Sequence, residues 1–225
     1  MIDTIKIGGV VLKKTAVLAP MAGVADRAYR LMCREFGAAY SVSEMVSAKG
    51  ICYSDRKTAE LCTVTDEERP MAVQLFGSEP DFMAEAVGIV LRYEPDIIDI
   101  NMGCPVPKVV NTGAGSALMK NIDLAAAITD SAVKAAGKIP VTVKIRSGWS
   151  TDTINTAEFA KALENAGAAA ITVHGRTRDQ FYSGASDPGA IKAVKEAVKI
   201  PVIGSGDVTD LASCLKCMRK QAAIL

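Results

Sequence analysis

Residues 97–105 read IIDINMGCP, an apolar, β-branched run that ends in a polar loop containing glycine, cysteine and proline. A nearly continuous apolar run of this length is typical of a parallel strand that is buried on both faces. Runs of the same kind recur along the chain and predict seven strands in all, at residues 16–19, 38–42, 71–76, 97–101, 141–145, 170–173 and 202–204.

The segments between these runs carry helix start signals. Asp26 is a candidate N-cap for one amphipathic segment, and Asp187-Pro188 places a cap and a first-turn proline before another. Ser78 and Asp81 have capping-box spacing before a third segment. Strands therefore alternate with helices, a pattern that predicts a parallel sheet.

Polar or glycine-rich clusters follow nearly every predicted strand. A doubly wound sheet concentrates chemistry at one switch point, whereas a barrel collects it from the carboxyl ends of many strands. We therefore predict an α/β fold, a TIM (β/α)8-type barrel, with residues 4–13 as an N-terminal β-hairpin at its bottom. The clusters are Pro20-Met21-Ala22-Gly23, Ser43-Glu44-Met45, Gln74-Leu75-Phe76-Gly77, Asn101-Met102-Gly103-Cys104-Pro105, Lys144-Ile145-Arg146, His174-Gly175-Arg176 and Gly204-Ser205-Gly206-Asp207.

Composition excludes several classes of protein. The chain has 225 residues, 49% hydrophobic and 23% charged, which excludes a disordered or low-complexity protein. Lysine and arginine total 26 against 25 acidic residues, so no global electrostatic footprint for nucleic acid is present. No apolar run is long enough to span a membrane, and no secretory signal precedes the six irregularly spaced cysteines. We therefore expect a cytoplasmic protein with free thiols and without a structural metal. The oligomeric state is left open, with a monomer favoured over an oligomer.

The turn Gly204-Ser205-Gly206 is the clearest phosphate signal in the sequence. It follows a late strand, where backbone N–H groups can face an anion at the start of a helix. Barrels of this type often hold a cofactor phosphate after strands seven and eight. A glycine-rich turn without any ligand is the alternative interpretation.

Three polar side chains end otherwise apolar strands. Lys144 is costly inside such a run unless it meets an anion or a polar interior. His174 is the single histidine of the chain; a lone histidine is more often structural, but its position one strand after Lys144 favours a functional role. Gln74 has an amide that can both donate to and accept from the edge of a heterocycle.

Cys104 lies in a loop whose glycine and prolines restrict its conformation. Inert packing is the usual role of a buried cysteine. Because this loop follows the carboxyl end of a strand, the thiol is expected to point toward the centre of the ring. A proton donor or a nucleophile is therefore the sharper hypothesis.

Six motifs in order resemble the tRNA-dihydrouridine synthases, most closely their bacterial B-type branch. The resemblance extends from about residue 3 to about residue 210. The matching stretches are Leu18-Ala19-Pro20-Met21-Ala22-Gly23-Val24-Ala25-Asp26-Arg27, Ser43-Glu44-Met45-Val46-Ser47-Ala48, Gln74-Leu75-Phe76-Gly77, Asn101-Met102-Gly103-Cys104-Pro105, Val143-Lys144-Ile145-Arg146 and Val173-His174-Gly175-Arg176-Thr177-Arg178.

The resemblance implies an FMN enzyme that reduces uridine in tRNA to 5,6-dihydrouridine. It implies that hydride reaches C6 from reduced FMN, that Cys104 protonates C5, and that NADPH is the reductant. Asn101, Lys108, Arg176 and Arg178 are expected to contact the uridine or the surrounding tRNA. The residues expected to bind FMN are Pro20, Met21, Gln74, Lys144, His174, Gly204, Ser205 and Gly206.

The sequence departs from the family pattern in two places. Ser205 stands where the family usually has asparagine. Beyond about residue 210 the pattern of an eighth strand, a second phosphate-binding segment and a helical tRNA-binding domain is not followed. We therefore expect residues 1–225 to form an incomplete FMN-binding barrel that lacks strand eight and that domain.

Two other functions remain open at this point. One is a flavin barrel that reduces a free pyrimidine or an enone without RNA. The other is a truncated, non-catalytic remnant that binds flavin or RNA.

Overall fold

A computed structural model describes residues 4–53 and 56–221 and has the predicted α/β class. A curled sheet of parallel strands carries helices on its outer side. The strands are β1 (Thr4–Ile7), β2 (Val10–Lys13), β3 (Ser41–Val42), β4 (Val46–Ser47), β5 (Met71–Phe76), β6 (Ile97–Met102), β7 (Val141–Arg146), β8 (Ala170–His174) and β9 (Val202–Ser205). The α-helices are α1 (Arg27–Glu35), α2 (Ala48–Cys52), α3 (Arg56–Glu60), α4 (Pro80–Val90), α5 (Pro107–Val110), α6 (Ile122–Ala136), α7 (Thr156–Asn165), α8 (Pro188–Ala197) and α9 (Leu211–Gln221).

The sheet follows chain order from β5 to β9, and every pairing in it is parallel. The short strands β3 and β4 both pair with β5. The predicted strands at 71–76, 97–101, 141–145, 170–173 and 202–204 are confirmed to within one residue at their ends.

The prediction for the first strand is wrong in extent. Only Leu18 forms a parallel bridge, to Ser41, and the strand predicted at 38–42 shrinks to β3. Within the described part of the chain, no strand pairs with the outer edge of β9, so residues 16–19 have a neighbour on one side alone. Backbone hydrogen bonds still join the two segments, from the Ala39 N–H to the Ala16 carbonyl and from the Leu18 N–H to the Tyr40 carbonyl.

Alternate residues of the strands face opposite sides of the sheet. Val73, Ile98 and Val143 belong to the large apolar core that includes residues of the outer helices. On the opposite face, Ala72 and Ile97 pack with the hairpin β1–β2 in a separate apolar layer. The hairpin therefore closes the bottom of the barrel, as predicted, and the polar residues above this layer are left facing the interior.

Two of the predicted helix starts are confirmed and one is wrong. The Asp26 carboxylate accepts a hydrogen bond from the Tyr29 N–H, and Asp187 accepts from the Gly189 N–H with Pro188 in the first turn. Ser78 does not cap α4, because its hydroxyl donates instead to the Thr112 carbonyl at 2.7 Å. The helix begins at Pro80, after Glu79, and no side chain caps it.

Candidate active site

The carboxyl ends of the strands enclose a cavity of about 450 Å³. Seven of the residues predicted from the sequence line it, which supports the expectation of one ring of chemistry at this end of the barrel. They are Pro20, Met21, Gln74, Asn101, Cys104, Lys144 and His174.

The glycine turn lines an adjoining cavity of about 290 Å³. Gly204, Ser205 and Gly206 lie along one side of it, and Pro20 and Lys144 line both cavities. Lys144 therefore lies between the space beside Cys104 and the turn predicted to bind phosphate.

Gly206 is a position where the backbone requires glycine. Its φ is +111°, and an added Cβ would lie 2.5 Å from the Ser186 hydroxyl oxygen and 2.8 Å from His174 Cδ2. Gly37 has a similar φ of +93°, but an added Cβ there meets no atom within 4 Å. The two glycines thus share the backbone conformation and differ in crowding.

We expect Gly206→Ala to cost about 1–3 kcal/mol more stability than Gly37→Ala, because only the first substitution adds overpacking to backbone strain. Urea unfolding of the two variants measures the difference. Equal losses of unfolding free energy would mean that the turn moves freely and is not held against His174 and Ser186.

Backbone hydrogen bonds hold Cys104 in its loop. The Asn101 side-chain oxygen accepts from the N–H groups of Gly103 (3.1 Å) and Cys104 (2.8 Å). The Cys104 carbonyl accepts from the N–H and the hydroxyl of Ser116, at 3.0 and 2.9 Å. The half-buried thiol is thereby fixed at the wall of the cavity.

Burial determines the electrostatics of Lys144. It lowers the pKa of the ammonium to about 8, although Asp99 acts in the opposite direction. Among residues 4–53 and 56–221, no acceptor lies within hydrogen-bonding distance of this ammonium. A half-buried cation without an acceptor among the described residues suits an anionic or hydrogen-bond-accepting ligand.

His174 is held in its neutral form. Burial lowers its pKa to about 3, and Lys144, Arg146 and Arg176 add repulsion toward a charged imidazole. The ring therefore enters the site as a neutral donor and acceptor at physiological pH.

We expect the His174 imidazole not to titrate between pH 5 and pH 8 in the folded protein. NMR of the imidazole proton is unambiguous here because the chain contains one histidine. In the unfolded chain the imidazole takes up a proton below about pH 6.5, so this residue should lower the stability as pH falls below that value. A titration midpoint near 6.5 in the folded protein would contradict the burial.

The remaining predicted contacts to RNA lie outside both cavities. Arg176 is buried; it donates to the carbonyls of Ser183 (3.2 Å) and Gly184 (2.6 Å) and pairs with Asp207 at 2.8 Å. It therefore holds the loop after β8 against the residue that follows the glycine turn.

Arg178 packs beside an aromatic ring and Lys108 is exposed, whereas Arg176 is buried. The Arg178 guanidinium and the Lys120 ammonium lie 4.6 and 4.1 Å from the centre of the Trp149 ring. Lys108 is exposed on α5, near the loop of Cys104. The substrate contacts assigned to Lys108, Arg176 and Arg178 stay predictions.

Two residues of the site were not predicted as functional. Arg146 and Tyr182 line the cavity beside Cys104, and the guanidinium lies 5.9 Å from the tyrosine ring centre. Arg146 also donates to the Gly103 carbonyl at 2.9 Å, so it braces the cysteine loop. Arg146 lies two residues after Lys144 on β7, and alternate strand residues share a face, so the sequence indicated that both side chains face the barrel interior. Tyr182 lies in a loop and carried no such signal.

Comparison with known proteins identifies the family. The sequence profile described as "Dihydrouridine synthase (Dus)" matches residues 17–224. The chain belongs to the dihydrouridine synthase family. It is 47% identical over 220 residues to a "Probable tRNA-dihydrouridine synthase" of Rickettsia bellii (strain RML369-C), covering 97% of this chain and 67% of that protein. It is 44% identical to the "tRNA-dihydrouridine synthase B" of Pseudomonas aeruginosa, covering 92% and 62% of the two chains.

These relatives confirm the resemblance inferred from the motifs. The chain spans about two thirds of the length of the curated relatives that it matches. Among solved structures, an old yellow enzyme homologue from Zymomonas mobilis superimposes with a TM-score of 0.67 at 15% identity, covering 99% of this chain and 87% of that chain. At this identity the likeness concerns the fold, and it agrees with the predicted TIM-barrel class.

Residues 4–53 and 56–221 contain neither a helix suited to cross a membrane nor a cluster suited to hold a metal ion. No helix there combines the length and the apolar character needed to cross a bilayer. No group of three or more histidine, cysteine, aspartate or glutamate side chains in these ranges is arranged to hold a metal ion.

Proposed function

We propose that this protein binds FMN and reduces uridine in tRNA to 5,6-dihydrouridine, with NADPH as the reductant. The observation that carries the proposal is the single cavity that Cys104 lines together with Lys144, His174 and Gln74. Family membership supports the same reaction, since its relatives are named for it.

The residues present fit a flavin. Lys144 offers a half-buried ammonium without an acceptor among the described residues, which suits the electron-rich edge of an isoalloxazine. Gly204, Ser205 and Gly206 line the adjoining cavity, where backbone N–H groups suit a phosphate. Pro20 and Met21 would contact the ring system from the side of the first predicted strand. Bound in its reduced form, FMN would supply the hydride that reaches C6 of the uracil.

Cys104 is proposed to give the proton to C5. A thiol carries a proton that it can donate to carbon as a general acid. The hydrogen bonds to its backbone hold the loop, and Cys104 lines the same cavity as Lys144 and His174. Lys144 and neutral His174 can polarise the uracil carbonyls while the proton is transferred.

Contacts to tRNA are proposed for the rim of the barrel. A near-neutral chain must bind RNA through local clusters of charge. Arg178 and Lys120 beside Trp149 form one such cluster, and exposed Lys108 lies near the cysteine loop. Arg176 would act on the substrate by holding the loop that carries Tyr182. We propose a cytoplasmic location on the same ground, because the proposed substrate is tRNA.

The proposal is tested by purifying the protein, recording its flavin absorbance and incubating it with NADPH and tRNA that lacks dihydrouridine. We expect bound flavin and the formation of dihydrouridine. Turnover of free uracil or an enone without activity on tRNA would favour the free-pyrimidine reductase. A colourless protein that does not take up FMN would favour the non-catalytic remnant.

A further inference from the structure

Asp99 is a buried carboxylate that no step of the proposed reaction uses. It lies on β6, level with Gln74 on β5 and Thr142 on β7, and is 3% exposed. One of its oxygens accepts from the Gln74 amide nitrogen at 2.6 Å, and the other accepts from the Thr142 hydroxyl at 2.5 Å. The layer directly below is apolar, with Ile97 on the same strand and the same face.

A chain of side-chain amides connects this carboxylate to the cysteine loop. The Gln74 oxygen accepts from the Asn101 amide nitrogen at 2.9 Å. The Asn101 oxygen in turn accepts from the Cys104 N–H at 2.8 Å. Each amide therefore uses its nitrogen toward Asp99 and its oxygen toward Cys104.

The orientation of the two amides follows from the chemistry of the groups at either end, the Asp99 carboxylate and the Cys104 N–H. An ionised carboxylate only accepts, so Gln74 must turn its nitrogen to Asp99 and its oxygen to Asn101. A backbone N–H only donates, so the Cys104 loop requires an oxygen from Asn101. Were Gln74 reversed, its nitrogen would face the nitrogen of Asn101, and one of the two amides would lose its partner.

We propose that Asp99 is a positioning residue whose carboxylate fixes the orientation of the Gln74 and Asn101 amides and thereby holds the Cys104 loop in place. The inference deepens the proposed function, on which it rests for the role of the thiol. Burying a charge beneath a site is costly, and here three polar groups depend on that charge for their direction.

The first test compares Asp99→Asn with Asp99→Leu. Asparagine can still present an oxygen to Gln74 and donate its NH2 to the Thr142 hydroxyl, whereas leucine offers no acceptor. We expect Asp99→Leu to lower kcat for dihydrouridine formation at least about 10-fold with KM for tRNA little changed, and Asp99→Asn to restore most of the rate. Equal rates in Asp99→Leu and the unsubstituted protein would overturn the proposal.

The second test needs no catalytic activity and isolates the direction of the amides. Asn101→Asp puts a carboxylate at both ends of Gln74, and one of them then faces the Gln74 oxygen. Adding Asp99→Asn to that variant supplies an NH2 that can donate to the Gln74 oxygen, while the Gln74 nitrogen donates to the new carboxylate at position 101. Every group in the row then has a partner again, with the Gln74 amide reversed.

The readout is the rate of iodoacetamide alkylation at Cys104, resolved by peptide mass spectrometry, with half-buried Cys33 on α1 as the reference in the same molecule. We expect Asn101→Asp to raise the relative rate about 5-fold or more, and Asp99→Asn/Asn101→Asp to return it to within about twofold. Additive effects of the two substitutions would overturn the proposal. Absence of dihydrouridine formation by the unsubstituted protein would instead count against the proposed function, and the alkylation result would still stand.

Discussion

Replacing Cys104 with alanine is expected to lower dihydrouridine formation about 100-fold or more while flavin remains bound. A positioned general acid contributes about 10²–10⁴-fold to a rate. Alanine removes the proton donor, but the groups proposed to bind FMN, Lys144 and the glycine turn, remain in place. Dihydrouridine in tRNA and the flavin absorbance of the purified variant are the two measurements.

Cys33→Ala is the matched control, since it also removes a half-buried thiol but from α1, outside both cavities. It should keep both the activity and the flavin. Unchanged activity in Cys104→Ala would refute the role of the thiol. Loss of flavin in that variant would show that Cys104 supports the cofactor site rather than the proton transfer.

Replacing Lys144 with methionine is expected to weaken FMN binding by about 10–100-fold, because a hydrogen bond to a charged group contributes about 1.5–3 kcal/mol. The same substitution should stabilise the flavin-free protein. Burial lowers the pKa of Lys144 to about 8, so folding carries a net cost for this ammonium when it is charged. Titration with FMN and urea unfolding of the flavin-free protein measure the two effects.

The lowered pKa of Lys144 also predicts how the stability of the protein depends on pH. Between about pH 8 and pH 10.5 the unfolded chain holds the proton that the folded protein has released, so stability should rise with pH in this window. Lys144→Met should remove that contribution to the slope. Lys161→Met, at an exposed position on α7, is the control and should leave the affinity for FMN unchanged. An unaltered FMN affinity in Lys144→Met would contradict the assigned cofactor contact.

The sequence was informative where a polar residue interrupts an apolar strand. Lys144 and His174 were identifiable because parallel strands bring their carboxyl ends to one edge of the sheet, and the structure places both on one cavity. Asp99 was not identified, because a single acidic residue within an apolar run gives no information about its neighbours on adjacent strands. Its role emerges only from the register that sets it level with Gln74 and Thr142.

The charge of an arginine did not indicate whether its side chain points into the cavity or toward the surrounding loops. Arg176 follows His174 closely in sequence, yet its guanidinium turns to the carbonyls of its own loop and to Asp207. Arg146 points into the cavity instead, because the parity of β7 places it on the same face as Lys144. Loop residues lack such a parity, so their orientation depends on tertiary contacts that no local pattern records.

The most direct measurement is a single turnover under anaerobic conditions. Protein loaded with FMN is reduced chemically, freed of excess reductant and mixed with tRNA that lacks dihydrouridine. The proposed function predicts about one dihydrouridine per reduced flavin, formed at least about 100-fold more slowly by Cys104→Ala. If the flavin stays reduced in the presence of this tRNA but is oxidised by a free enone or pyrimidine, the assignment to tRNA uridine is wrong.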